Sequence, residues 1–220
     1  MTGEIRQLRF AAPPGACRLL LLRHGETTPV RDGVAVPLLE GQSNPDLDPV
    51  GIEEAQRAAD RLAAEDVAAI YVTPLARTHQ TAAPLVGRLG LEPAVEPRLI
   101  EIHLGDWEGG EYRRRMHERD PVAMQALMEE RWDVIPGAES MESLGSRVAA
   151  GLDTMLAAIG PGGLGAAVLH GGVIGELCRQ VTRSRPFAFI HADNCSLTRI
   201  VQFSVGHRLL RSFNDTAHLA

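Results

Sequence analysis

The run RLLLLR, Arg18–Arg23, followed directly by His24 and Gly25, decides the fold class of this chain. A short, almost continuously apolar segment that ends at a glycine is typical of a strand buried on both faces of a parallel sheet. Two similar runs are VAAIYV at 67–72 and GAAVLH at 165–170. The sequence therefore predicts several buried strands, of which Arg18–Arg23 is the first.

The segments between these strands carry the start and stop signals of helices. Asp48, followed by proline, suits the N-cap of a first helix. Pro74 and Gly90 bracket a second helix, and Ser140 and Gly160 bracket a third. Strands that alternate with helices favour an α/β three-layer sandwich, with a mostly parallel central sheet and helices on both faces.

Two other regions depart from this alternation. Residues 110–131 are charged and helical, with Pro121 as a break, and belong to a predicted helical excursion at about 103–140. The C-terminal part holds two β-like runs, 196–203 and 207–213, joined by a turn at 205–206. We expect one domain over residues 1–220, since no linker-like stretch divides the chain.

Composition narrows the class of protein. The 220 residues are 45% hydrophobic and 23% charged, which suits a globular protein rather than a disordered, collagenous or coiled-coil one. The net charge is −6 and the chain has no run of five basic residues. Binding to nucleic acid through a broad phosphate footprint is therefore not expected.

The cysteines and the N-terminal region indicate in which cellular compartment the protein is expected. Cys17, Cys178 and Cys195 are an odd number without CxxC spacing, which argues against a disulfide framework and against a thiolate zinc site. The apolar run Leu19–Leu22 is too short for a signal sequence or a membrane span. We expect a cytoplasmic protein that does not enter membranes.

Polar side chains collect just after the predicted strands. In open α/β sheets ligands bind beyond the carboxyl ends of the strands, and there the chain places Arg23, His24, Arg77 and His170. An arginine fork matches phosphate oxygens, a neutral imidazole can accept a phosphoryl group, and the glycine at Gly171 lets backbone amides approach an anion. Singly, each would more often be a solvated charge or a core histidine, but their coincidence at one edge predicts a phosphate site.

A metal site is an alternative interpretation of the same region. His24, His170, His103 and Glu101 could in principle hold zinc. No two histidines have HxH or HxxxH spacing, and two arginines in the same pocket would repel a divalent cation. The phosphate interpretation is therefore preferred.

Seven segments in order resemble the signature motifs of the histidine phosphatase superfamily, also called phosphoglycerate mutase-like. They cover roughly residues 18–200, which makes the resemblance specific although RHG alone is weak. The segments are LLRHGET (21–27), LDPVGIEEAQ (47–56), TPLARTHQTA (73–82), LIEIHLGDWEG (99–109), PGAES (136–140), HGGVI (170–174) and NCS (194–196).

The resemblance implies a role for each residue that matches a motif. His24 would be the nucleophile that forms a phosphohistidine, and Arg23 and Arg77 would clamp the phosphoryl oxygens. His170 would stabilise the transferring group, and Glu101 would act as general acid and then as general base. No metal and no cofactor are implied.

The chain also departs from the family pattern. The family often has an asparagine that touches phosphate shortly after RHG, and the corresponding residue here is Val30. Ser43 and Asn44 are candidate substitutes. The run Arg113–Arg115 is read either as a solvated helix face or, as the lesser alternative, as a contact to a substrate carboxylate or phosphate.

Within the family, the form EIHLGDWEG resembles the phosphatase branch, whereas mutases typically carry ER-x-YG there. We therefore expect a metal-independent phosphomonoesterase acting on a small-molecule phosphate ester. The alternatives are a cofactor-dependent phosphoglycerate mutase and a non-catalytic protein that binds a phospholigand on the same fold. Assembly as a homodimer is left open.

Overall fold

The computed structural model describes residue 4, residues 6–204 and residues 206–220. Its strands and helices alternate through most of the chain, and short 3₁₀ helices lie at Pro97–Leu99, Gly105–Trp107 and Ala217–Leu219. In chain order the other elements are β1 (Cys17–Arg23), β2 (Leu38–Leu39), β3 (Gln42–Ser43), α1 (Pro49–Ala63), β4 (Ala69–Val72), α2 (Ala76–Leu89), β5 (Ala94–Val95), α3 (Glu111–His117), α4 (Pro121–Glu129), α5 (Met141–Ile159), β6 (Leu164–Leu169), α6 (Gly171–Thr182), β7 (Leu197–Ser204) and β8 (His207–Asp215).

The central sheet has the strand order β5-β4-β6-β1-β7-β8. β4 pairs in parallel with both β5 and β6, and β6 pairs in parallel with β1. β7 is antiparallel to β1 and to β8. The predicted α/β sandwich with a mostly parallel sheet is confirmed, with the antiparallel strand at the C-terminal side making the sheet mixed.

The leucine run of β1 contributes to both faces of the sheet. Leu19 and Leu21 lie in a core cluster with side chains of α5 and α6, whereas Leu20 and Leu22 lie in a second cluster with α1 and α2. Successive side chains of a strand point to opposite faces, so a strand covered by helices on both sides needs apolar residues at every position. The leucine run is apolar throughout because β1 belongs to the sheet, which is the middle layer of the three-layer sandwich.

The helix boundaries follow from their capping residues. The Asp48 carboxylate accepts a hydrogen bond from the amide of Gly51 at 2.9 Å. Helix α1 begins at Pro49, the residue directly after Asp48. The hydroxyl of Ser140 caps α5 in the same way. Helix α2 ends at Gly90, whose φ of 64° is left-handed.

Helix α2 begins at Ala76, two residues later than the sequence predicts from Pro74. Its N-cap residue Leu75 has no side-chain oxygen, and the Ala76 amide instead donates to Asn44 Oδ1 at 2.8 Å. The capping oxygen comes from the β3 region of the chain, which local sequence signals do not reveal.

The region between β5 and α5 leaves the sheet and forms α3 and α4. Asp120 caps α4 and Pro121 is its first residue, so the proline separates two helices as expected. The small antiparallel pair of β2 and β3 was not predicted. Of the predicted turn at 205–206, Val205 lies outside the described residues.

Two further findings concern the chain as a whole. Within the described ranges, no helix is both long enough and apolar enough to cross a bilayer. The side chains of Cys17, Cys178 and Cys195 are buried free thiols, and burial raises the pKa of Cys178 to about 12. These thiols therefore remain protonated near neutral pH.

Candidate active site

A pocket of about 430 Å³ opens at the carboxyl ends of β1, β4 and β6. Arg23 is the last residue of β1 and His24 follows it. Arg77 lies in the first turn of α2, the helix that follows β4, and His170 follows β6. The sheet therefore brings the predicted residues to one edge, as the rule for parallel strands requires.

His24 is held so that one ring nitrogen remains available. Its Nδ1 lies 2.8 Å from the carbonyl oxygen of Gly25. Because a carbonyl can only accept a hydrogen bond, Nδ1 carries the proton and Nε2 keeps its lone pair. Burial, together with the charges of Arg77 and Arg23, holds the pKa of His24 well below its usual value. The imidazole is therefore neutral at physiological pH.

Gly25 fixes the loop after β1 against helix α1. A Cβ atom at Gly25 would lie 2.5 Å from the carbonyl oxygen of Gly51, so only glycine allows this approach. The Gly25 amide also donates to Thr81 Oγ1 at 3.0 Å. This tight contact anchors the carbonyl that orients His24.

The two predicted arginines each use only part of their hydrogen-bonding capacity. Arg23 donates from Nη1 to the carbonyl of Ala192 at 2.5 Å, and its buried Nε has no partner among the described residues. Arg77 donates from Nη1 to the carbonyl of Ser43 at 2.8 Å. Burial lowers the pKa of Arg77 to about 10, which still leaves it charged at neutral pH. Both guanidinium groups therefore retain donors for an anion.

His170 is fully buried, with its ring centroid 5.3 Å from that of His24. Its Nε2 shares a hydrogen bond of 2.9 Å with Thr73 Oγ1, while its Nδ1 has no partner among the described residues. Burial, and then the charge of Arg77, lower the pKa of His170 well below its usual value. Thr73 was missed, although it stands directly after β4 and the strand-end rule used for the histidines would have found it.

Glu101 is positioned by two backbone amides. Its Oε2 accepts from the Gly172 amide at 3.2 Å and its Oε1 from the Ile102 amide at 3.0 Å. A Cβ atom on Gly172 would lie 2.7 Å from Oε1, so the glycine is what allows the carboxylate to reach this place. Gly171, the first residue of α6, packs beside the Arg23 guanidinium.

Part of the pocket lining is an apolar surface, which we call the outer wall. It consists of Trp107, Tyr112, Met116, Leu127 and Trp132, all from the region between β5 and α5. The Tyr112 ring lies 6.4 Å from Trp107 and 5.7 Å from Trp132, between centroids. Burial raises the pKa of Tyr112 to about 12, so its phenol remains protonated. No local sequence signal pointed to this wall.

The arginine run on α3 divides into two kinds of residue. Arg114 pairs with Asp32, and Arg115 pairs with Glu111 and Asp120. Arg113 instead lines the pocket, where it donates to Thr27 Oγ1 and to the Thr28 carbonyl. Arg113 is itself exposed, and the helix also turns its side chain toward the loop after β1, so a ligand contact stays a prediction for this residue of the run.

The candidate substitutes for the family asparagine are already engaged. The hydroxyl of Ser43 donates to the Glu108 carboxylate, and Asn44 Oδ1 accepts from the start of α2. Val30 lines the pocket and packs against Gly110, where a Cβ atom would lie 2.8 Å from a Val30 methyl group. The Ser43 hydroxyl proton is therefore taken, whereas the contact of Asn44 uses only its side-chain oxygen and not its NH₂ group.

The alternative metal ligands do not form a cluster. His103 Nδ1 accepts a hydrogen bond from the Gly105 amide at 3.0 Å, within its own turn. In the described part of the chain, no group of three or more His, Cys, Asp or Glu side chains is arranged to hold a metal ion.

Known proteins resemble this chain over most of its length. It is 31% identical over 208 residues to the probable phosphoglycerate mutase GpmB of Yersinia enterocolitica, covering 92% of this chain and 94% of the relative. A mycobacterial glucosyl-3-phosphoglycerate phosphatase has a TM-score of 0.73 at 27% identity, covering 91% of this chain and all of that one. Phosphoglycerate mutase from Bacillus anthracis, with a TM-score of 0.76, 21% identity and coverage of 94% and 97%, shares the fold.

The sequence profile of the Histidine phosphatase superfamily (branch 1) matches residues 19–216. This span runs from β1 to the end of β8 and includes every residue that the sheet edge brings together around the pocket. The protein is therefore a histidine phosphatase, a member of branch 1 of that superfamily.

Proposed function

We propose that this histidine phosphatase is a metal-independent phosphomonoesterase that hydrolyses a small phosphorylated metabolite through a phosphohistidine. The observation that carries the proposal is the state of His24, a neutral imidazole with a free Nε2 lone pair between the charges of Arg23 and Arg77. A lone pair between two cations suits attack on a phosphoryl group and has no use in passive binding.

In the first step His24 Nε2 attacks phosphorus. The new P–N bond forms as the ester P–O bond breaks, and protonated Glu101 donates its proton to the departing alkoxide. Arg23 and Arg77 neutralise the charge that is redistributed over the phosphoryl oxygens. Throughout this step the His24 proton stays on Nδ1, which donates it in a hydrogen bond to the Gly25 carbonyl and so holds the ring in place.

In the second step Glu101, now a carboxylate, takes a proton from water. The water oxygen bonds to phosphorus as the P–N bond breaks, releasing inorganic phosphate and restoring neutral His24. The Gly172 and Ile102 amides keep the carboxylate in one place for both proton transfers.

His170 and Gly171 would bind the phosphoryl group as well. When Thr73 Oγ1 donates to His170 Nε2, the ring proton sits on Nδ1, which has no partner among the described residues and can donate to a phosphoryl oxygen. The amide at the start of α6 adds the positive end of that helix. Thr73 is thus a positioning residue for His170.

Arg113 supplies a third cation to the pocket. Its two hydrogen bonds to Thr27 and Thr28 leave further guanidinium donors for a ligand. It lines the same pocket as Val30, the position at which the family resemblance leads one to expect an asparagine that touches phosphate. We assign the missing contact to Arg113.

Phosphoglycerate mutase activity is the second candidate, favoured by the name of the Yersinia relative. A mutase of this kind must hold a second acidic group of its bisphosphorylated intermediate at a distance from the nucleophile. Here much of the pocket lining is the apolar outer wall, and Arg113 is the lining cation on the same helix as Tyr112 and Met116. Hydrolysis is therefore the better-supported reaction.

The test is a panel of phosphorylated metabolites assayed for phosphate release, with acid quenching to trap phosphohistidine. We expect release to exceed conversion of 3-phosphoglycerate to 2-phosphoglycerate primed with bisphosphoglycerate, and EDTA to leave the rate unchanged. Mutase turnover faster than phosphate release would favour phosphoglycerate mutase as the function. Loss of activity in EDTA, restored by zinc, would favour the metal interpretation.

A further inference from the structure

The outer wall points to the class of alcohol that the enzyme releases. Resting on the proposed phosphatase function, we propose that the substrate is a phosphate monoester whose leaving group carries a planar aromatic or similarly bulky apolar group. The phosphate would lie at His24 and the apolar group against the outer wall.

The first support is the placement of the aromatic residues. The chain has only two tryptophans and two tyrosines, yet both tryptophans and Tyr112 line this one pocket. Trp132 continues into a further ring contact with Phe187 at 4.6 Å between centroids. Aromatic side chains are the main apolar contacts of ligand pockets, so this concentration indicates a recognition surface as well as a core.

The second support is continuity with the reacting groups. Glu101 is the proposed proton donor to the leaving oxygen, and the same pocket runs from it to Tyr112 and Trp107. A group attached to that oxygen therefore extends along the outer wall. The volume of about 430 Å³ exceeds what a phosphate group alone would fill and lies in the range of small-molecule sites.

The third support is the shortage of free polar groups on this side. Glu108 belongs to the pocket lining, but its carboxylate already accepts from the Ser43 amide at 2.7 Å and from the Leu104 amide at 2.8 Å. A polyol or a second acid group facing Met116 and Leu127 would lose its hydrogen bonds to water without replacement. The polar side-chain groups of the wall itself are the Tyr112 hydroxyl and the two indole N–H groups, so a leaving group with many hydroxyls would lose more hydrogen bonds to water than the wall replaces.

The experiment compares two substrates that differ only in the apolar group. 2-(1-Naphthyl)ethyl phosphate and ethyl phosphate are both esters of primary alcohols, so the proton demand at the leaving oxygen is similar. We expect kcat/KM to be at least about 10²-fold higher for the naphthyl ester, as burial of a bicyclic ring would give. Equal values for the two esters, with phosphate released from both, would overturn the inference and leave the proposed function standing.

A matched pair of variants locates the effect. Leu127 faces the pocket, whereas its neighbour Met128 is 79% exposed. Leu127→Gln should reduce the naphthyl preference about tenfold with little change for ethyl phosphate, and Met128→Gln should leave it unchanged. An unchanged preference in folded Leu127→Gln would contradict the placement of the ring.

A binding measurement separates this inference from the chemistry. The non-hydrolysable 2-(1-naphthyl)ethylphosphonate should bind the wild-type protein at least tenfold more tightly than ethylphosphonate, measured by calorimetry. If neither ester is hydrolysed but the phosphonates show this ranking, the proposed function fails while the wall still recognises the apolar group. Equal phosphonate affinities would reject the wall as a recognition surface.

Discussion

The two ends of the pocket are built in different ways. The phosphate end draws His24, Arg77 and His170 from separate elements, and each is less than a tenth exposed. The outer wall comes from one stretch of chain between β5 and α5, in which Trp107 and Trp132 are buried and Tyr112 and Leu127 are half-buried. The sheet thus fixes the chemistry, while a surface excursion shapes what is recognised.

This difference has an energetic reason. Moving a strand end would disturb the register of the whole sheet, because β1 pairs with both β6 and β7. Changing side chains on α3 or α4 alters only local packing. We therefore expect substitutions at the phosphate end to remove activity and substitutions in the excursion to redirect it, and the following predictions test that contrast from the largest effect to the smallest.

Replacing the proposed nucleophile should have the largest effect. His24→Ala should lower phosphate release by on the order of 10⁵-fold or more, as loss of a nucleophile does in other covalent enzymes. Thermal unfolding should show that the variant is folded, and rapid quench should show no phosphohistidine. Phosphate release at a near wild-type rate would show that His24 is not the nucleophile.

Replacing Glu101 should affect substrates unequally. Glu101→Gln should slow the first turnover of an alkyl phosphate by about 10² to 10⁴-fold, because an alkoxide must be protonated as it leaves. p-Nitrophenyl phosphate should be much less affected, since its phenolate departs without a proton. Equal first-turnover losses, measured by rapid quench, would mean that Glu101 only positions its neighbours.

Arg77→Ala tests the arginine clamp. We expect a loss of about 10² to 10³-fold in kcat, comparable to removal of one oxyanion donor, because its fork meets charge that is redistributed in the transition state. Steady-state kinetics separate this from binding. A rise in KM with unchanged kcat would make Arg77 a binding residue only.

Two neighbouring arginines on α3, Arg113 and Arg114, allow a matched comparison of a pocket-lining residue with a surface residue. Arg113→Met should lower kcat/KM about tenfold, the value of one charge-assisted contact. Arg114→Met removes an arginine that pairs with Asp32 on the surface and should change kcat/KM less than twofold. Similar effects of the two variants on kcat/KM would mean that Arg113 is a solvated surface residue and does not contact the substrate.

The smallest effect concerns stability as a function of pH. The pKa values of His24 and His170 are lowered in the folded protein, chiefly by burial, so the unfolded chain binds more protons as the pH falls below about 6.5. Each histidine should then reduce the free energy of unfolding by up to about 1.4 kcal/mol per pH unit between pH 6.5 and 5. Urea unfolding of His170→Asn should show a shallower slope, and an unchanged slope would contradict this.

The strand ends were predictable because the signals are local. A continuous apolar run followed by His24 specifies both the buried strand and the polar residue at its end, and Asp48 and Ser140 specify their helices through their own side chains. The motif resemblance added the acid–base role of Glu101, a residue that lies on no regular element.

The sequence by itself determined the α/β class, the order of the elements and the edge at which His24, Arg77 and His170 meet, because strand burial and helix caps are written in neighbouring residues. Only the tertiary structure decided the tautomer of His24, the contact of Thr73 with His170 and the turn of Arg113 into the pocket. The Thr73–His170 and Arg113–Thr28 contacts join residues that are 97 and 85 positions apart. The Gly25 carbonyl is next to His24 in the chain, but the packing of Gly25 against Gly51 holds it in place. No local pattern encodes these approaches between separate elements of the fold.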